Sequence, residues 1–106
     1  MINKKILGLI GFATRARKIV FGADSVETDI KSKKVKIVLI AEEASDRTKE
    51  KFKNLCEKYN IPYIIKGDID TLSKAIGKSN KAIIGVKEEN LANEIKKIND
   101  GGDIIG

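Results

Sequence analysis

The chain has 106 residues, 42% hydrophobic and 34% charged, which suits one globular domain around one core. It has no histidine and one cysteine, so it lacks the commonest general base, the commonest zinc ligand and any intramolecular disulfide. Its 21 Lys plus Arg against 15 Asp plus Glu give a formal charge of +6, which points to a polyanionic partner, usually nucleic acid.

In chain order, Ile2, Ile6, Leu9, Ile10 and Ala13 recur at helical spacing, so the N-terminal stretch reads as an amphipathic helix. Lys4 and Lys5 precede its apolar patch, but Gly and Arg interrupt the patch and no cleavage site is convincing. No apolar run nears the roughly 20 residues of a membrane span, and a cytoplasmic protein is expected. Ile19-Val20-Phe21 reads as a short strand. Gly22 then opens a helix with Ala23, Val26 and Ile30 on one face and Asp24, Thr28 and Lys31 on the opposite one. Lys36 to Ala41 is an apolar, β-branched run without polar alternation, the mark of a strand buried on both faces. Phe52, Leu55, Cys56 and Tyr59 form a helical stripe that Ser45 or Asp46 can cap. Tyr63-Ile64-Ile65 reads as a strand. Asp70 can cap a short helix carrying Leu72, Ala75 and Ile76, with Gly77 ending it. Ala82 to Val86 reads as the last strand, and Leu91, Ile95 and Ile98 as the last helix. Strands alternating with helices imply an α/β fold, a mixed sheet of about four strands between helical layers. The domain is expected over residues 1–100, with a flexible tail at 101–106.

The motifs weigh against catalysis. Ile76-Gly77-Lys78-Ser79 looks like the end of a P-loop, but Leu72 stands where the first glycine is needed and the helix precedes the loop. The segment Gly77, Lys78, Ser79, Asn80, Lys81 is still small, polar and doubly basic, which suits contacts to phosphates or bases. Glu42 and Glu43 are neighbours in sequence and so do not converge on one substrate atom. Gly8 and Gly11 have the spacing of a GxxG loop but lie in a helical stripe, where close helix packing accounts for them. Cys56 lies on an apolar stripe, as a structural thiol does. No enzyme activity, catalytic residue, cofactor, metal site or small-molecule substrate is expected. Gly22 lies at a helix opening whose first amides lack intrahelical partners, an arrangement that takes phosphate readily, and Arg15, Arg17 and Lys18 precede it.

In order along the chain stand Gly11-Phe12-Ala13-Thr14-Arg15-Ala16-Arg17-Lys18, Gly22, Val35 to Ser45, Leu55-Cys56, Asn60-Ile61-Pro62-Tyr63, Leu72 and Ala75-Ile76-Gly77. This set resembles the L-seven-Ae type of ribosomal and kink-turn RNA-binding proteins, most closely its small bacterial YlxQ-type members. The resemblance covers Ile6 to about Leu91. It implies a three-layer α/β/α sandwich, RNA binding without catalysis, association with the ribosome and no membrane contact; a monomer is expected. It also implies two contact regions. One is the helix opening with Gly22, Ala23, Asp24, Ser25 and Thr28. The other is the loop with Gly77, Lys78, Ser79, Asn80 and Lys81. Phosphate contacts are expected from Arg15, Arg17, Lys18, Lys31 and Lys78. The family's kink-turn binders carry Asn, Glu and Lys where this chain has Asp24, Ser25 and Thr28, so the expected ligand is structured RNA, with kink-turns one candidate. The alternative is a protein-interaction module that keeps the fold and has lost specific RNA recognition.

Overall fold

The computed structural model describes residues 2–101. The elements are α1 (Lys4–Arg15), β1 (Ile19–Phe21), α2 (Ala23–Lys31), β2 (Ile37–Ile40), α3 (Asp46–Lys58), β3 (Tyr63–Ile65), α4 (Ile69–Ala75), β4 (Ile83–Val86) and α5 (Glu89–Asn99). The strands lie in the order β1-β4-β2-β3, with β4 antiparallel to both β1 and β2, and β2 parallel to β3. The expected strands at 36–41 and 82–86 are shorter than their apolar runs, because the flanking residues make only single bonds: Lys36 N to Val86 O and Ala41 N to Ala82 O.

Every residue of β2 and β4 is buried, which requires apolar cover on both faces of the sheet. Side chains alternate across the pleat. Ile37, Leu39 and Ile84 join Ile6, Ile10, Leu72, Ile76 and Ile95 from α1, α4 and α5 and the residue after α4. Val38, Ile40 and Ile83 join Val26, Ile30, Phe52 and Cys56 from α2 and α3. The result is the three-layer sandwich. Gly85 faces Val20 in the β1–β4 register. A Cβ there would lie 2.8 Å from Val20 Cγ1 and 3.1 Å from the Val35 methyls, so a glycine is needed for β1 to lie against β4.

Side chains cap four helix starts. Asn3 Oδ1 accepts from Lys5 N, Ser45 Oγ from Thr48 N, Asp68 Oδ1 from Thr71 N and Glu88 Oε1 from Leu91 N. The cap expected at Asp70 thus falls on Asp68. Gly67, at φ +84°, turns the chain earlier, and Glu43 Oε1 accepts from Ile69 N at 2.7 Å. Asp70 sits inside the first turn and pairs with Lys74 at 3.1 Å. All five helices end on a left-handed residue: Arg17, Lys33, Asn60, Gly77 and Gly101. Its N–H bonds back to the carbonyl three residues earlier, which satisfies carbonyls the helix leaves open. The tail expected at 101–106 lies, after Gly101, outside the described residues.

The close packing expected of Gly8 and Gly11 holds for one of them. A Cβ at Gly11 would touch the Ala75 carbonyl at 3.7 Å, whereas one at Gly8 would meet nothing within 4 Å. Cys56 is buried in the α2–α3 face of the core, and burial pushes its thiol up to about 12. The thiolate is the reactive form. Iodoacetamide at neutral pH is therefore expected to leave native protein unlabelled and to label it in denaturant. Rapid labelling of folded protein would contradict this placement.

Candidate nucleic-acid interface

Among the five helices, α2 alone has no side-chain cap. Its N-cap is Gly22, at φ +87°. The first bond of the helix runs from Val26 N to Gly22 O, so the amides of Ala23, Asp24 and Ser25 precede the ladder and carry the positive end of the helix dipole. Asp24 lies in the first turn and complements that dipole with its own charge. Thr28 Oγ1 donates to the Asp24 carbonyl at 3.0 Å, which folds its hydroxyl back on the helix. Val20, Asp24, Ser25, Thr28 and Asp29 line a shallow depression here. It holds the carboxylates of Asp24 and Asp29, and Lys87 pairs with Asp29 at 3.7 Å.

The loop 77–81 is rigidly built. Gly77, at φ +69°, reverses the chain after α4, and Lys78 N donates to Ser73 O at 2.9 Å. Ser73 is 1% exposed. Its hydroxyl donates to Lys81 O at 3.1 Å and accepts from Lys81 N at 2.8 Å. Asn80 takes a left-handed conformation, φ +55°, which asparagine tolerates better than most residues. Both ends of the loop are thus tied to α4, while Lys78, Ser79 and Asn80 stay exposed.

The loop and the α2 opening meet at the end of the edge strand β1. Gly22 N donates to Ile83 O at 3.0 Å, beside the point where the loop enters β4. The ammonium groups of Lys78 and Lys81 lie 5.4 and 5.3 Å from the centre of the Phe21 ring. An aromatic face attracts cations, and the ring gathers two of them that repel each other. Neither lysine forms an ion pair among the described residues. An anion beside the ring offsets the charge that both lysines bring to it.

The other expected cations lie elsewhere. Lys31 is in the last turn of α2, roughly 12 Å from Ala23 at the helical rise, and pairs with Glu27 at 3.0 Å. Lys51 of α3 pairs with the same carboxylate at 2.8 Å. These hydrogen bonds, that of Lys51 first, lower the Glu27 pKa, and Glu27 raises that of Lys31. Lys18 accepts from Lys87 N at its carbonyl, 2.7 Å, at the far end of β1. The strand rise puts it roughly 13 Å from Gly22. Arg15 and Arg17 lie with it at the end of α1. Nearness in sequence therefore does not bring Arg15, Arg17 and Lys18 beside the Gly22 amides. Two residues of the interface carried no chemical signal in the sequence: Phe21, an ordinary strand residue there, and Ser73, a small polar residue in a helix.

The model of the Ribosomal protein L7Ae/L30e/S12e/Gadd45 family matches residues 4–96. The chain belongs to this family. Among its L7Ae-family relatives, RNA-binding protein YlxQ of Bacillus subtilis (strain 168) is 35% identical over 92 residues, covering 87% of this chain and 92% of that protein. RNA-binding protein YlxQ of Enterococcus faecium is 33% identical over 99 residues, covering 93% and 95%. A solved protein of unknown function from Bacillus halodurans C superposes with a TM-score of 0.89 at 32% identity, over 92% of this chain and 99% of that one. The Giardia lamblia 15.5kD RNA binding protein shares the fold with a TM-score of 0.77 at 22% identity, over 90% and 88%. This L7Ae-family chain thus has the α/β architecture of its structural neighbours, five helices around a four-stranded mixed sheet.

Proposed function

We propose that this L7Ae-family chain is a non-catalytic RNA-binding protein, cytoplasmic and associated with the ribosome, that grips structured RNA. The carrying observation is the meeting of the uncapped α2 opening with Lys78 and Lys81 over Phe21. Phosphates fit the ammonium pair and the open amides. The names of the two YlxQ relatives support the same reading. Base readout is the weaker part, because the α2 opening offers the Asp24 carboxylate and the Ser25 and Thr28 hydroxyls in place of amide donors and a cation. The RNA is therefore held chiefly by its backbone, and affinity falls steeply with salt.

A titration against a kink-turn hairpin and a plain duplex of equal length, at rising salt, tests this. Binding at low salt with a steep linear decline is expected. No binding to either RNA would sink the proposal, and equal binding to both removes kink-turn preference alone. Co-sedimentation with ribosomal particles tests the cellular setting. A second reading, a protein-interaction module, is favoured by the acidic depression on α2. Protein co-purified after nuclease treatment, with no RNA absorbance before it, supports that reading.

A further inference from the structure

The end of α1 carries a second surface that the interface at Gly22 does not use. Phe12 is 55% exposed and is the one large exposed apolar side chain among the described residues. The Arg15 guanidinium lies 5.9 Å from its ring centre. One turn on, Arg17 occupies the left-handed position that ends α1, with φ +60°. Its N–H donates to Thr14 O, and Lys18 N donates to Ala13 O. This helix-ending motif is usually filled by glycine, because a side chain there is strained. An arginine at that position costs some stability and adds a second cation to the same helix end as Arg15. Asp70, across the groove from Arg15, is paired with Lys74, and Arg15, Arg17 and Lys18 form no ion pair among the described residues. Exposed aromatic rings and guanidinium planes are what unpaired bases stack on, with basic residues taking the adjoining phosphates.

We propose that an unpaired nucleotide flanking the bound RNA stacks on Phe12, while Arg15, Arg17 and Lys18 hold the phosphates beside it. The proposal rests on the RNA-binding reading and adds a second contact, at the opposite end of the edge strand β1 from Gly22. The chain then spans the junction between a folded RNA element and its single-stranded flank.

The test uses the full chain and one kink-turn hairpin, with and without short single-stranded adenosine tails. Tails are expected to raise the affinity of the wild type roughly tenfold, the effect of stacking one base. Phe12→Ala should abolish that gain and leave the tailless affinity unchanged. Arg17→Gly should reduce the gain about threefold, the loss of one phosphate contact, and at the same time raise the thermal midpoint, since glycine adopts the left-handed conformation freely. A purely structural Arg17 would give the second effect without the first. Equal affinity of the wild type for both RNAs overturns this proposal and leaves RNA binding standing. So does a Phe12→Ala protein that binds the tailed RNA as tightly as the wild type, which leaves Phe12 to a protein partner. A wild type that binds neither RNA removes the RNA-binding reading and this contact with it.

Discussion

A Lys78→Glu/Lys81→Glu protein is expected to bind a structured RNA hairpin about a hundredfold more weakly than the wild type, since two phosphate contacts are lost and two repulsions added. Both ammonium groups lie within 5.4 Å of the centre of one ring, so both charges bear on the same small region of the surface. The slope of log affinity against log salt should shrink by about two units, near one per phosphate contact. The fold should survive, because neither lysine is in an ion pair among the described residues and the loop is held through main-chain groups and the Ser73 hydroxyl. A Lys78→Arg/Lys81→Arg protein keeps the charges and should keep the slope. Unchanged affinity and slope in the glutamate variant would place the RNA contact elsewhere on the molecule.

Ser73→Ala is expected to lower stability by about 2 kcal/mol, for two lost hydrogen bonds of roughly 1 kcal/mol each. For a domain of this size that is a fall in thermal midpoint of about 10 °C. The Ser73 hydroxyl both donates to the Lys81 carbonyl and accepts from its amide, and alanine can do neither. The loop then keeps only the anchors at its start, Gly77 N and Lys78 N, and ordering the freed end on RNA should cost about fivefold in affinity. Amide exchange at Lys81 reads the local effect directly. If exchange, midpoint and affinity all stay at wild-type values, the hydroxyl does not hold the loop.

The architecture was legible because its signals are local. Unbroken β-branched runs announced the buried strands, and the Phe52–Cys56 stripe announced α3. Gly77 announced the end of α4. The start of α4 was misplaced by two residues because Asp68 and Asp70 are equally good caps by type. What decides between them is the backbone turn at Gly67 and the carboxylate of Glu43, a partner 26 residues away from Ile69. Of the paired glutamates, Glu43 is accounted for by this same contact.

The interface was legible only in part, for a related reason. Both contact segments stood out by composition, but their convergence depends on β1 and β4 being neighbours, which no single-chain pattern encodes. Conversely, Arg15, Arg17 and Lys18 stand close to Gly22 in sequence, and the three residues of β1 separate them in space. Phe21 and Ser73 were silent because their roles are contacts: a ring under two lysines and a hydroxyl inside a loop. Burial of Ser73 could not be read from a helix that also presents Asp70, Thr71 and Lys74.

The glycine in the middle of β4 has a consequence for how such a protein can diverge. With a Cβ at Gly85 placed 2.8 Å from Val20, the smallest enlargement of that residue shoves the edge strand outward. That strand ends in Phe21, which seats the two lysines, and runs into Gly22, which opens α2. A lineage can therefore retune the candidate surface from inside, by a change at 85 and its compensation at the buried Val35, while the exposed residues of that surface stay the same.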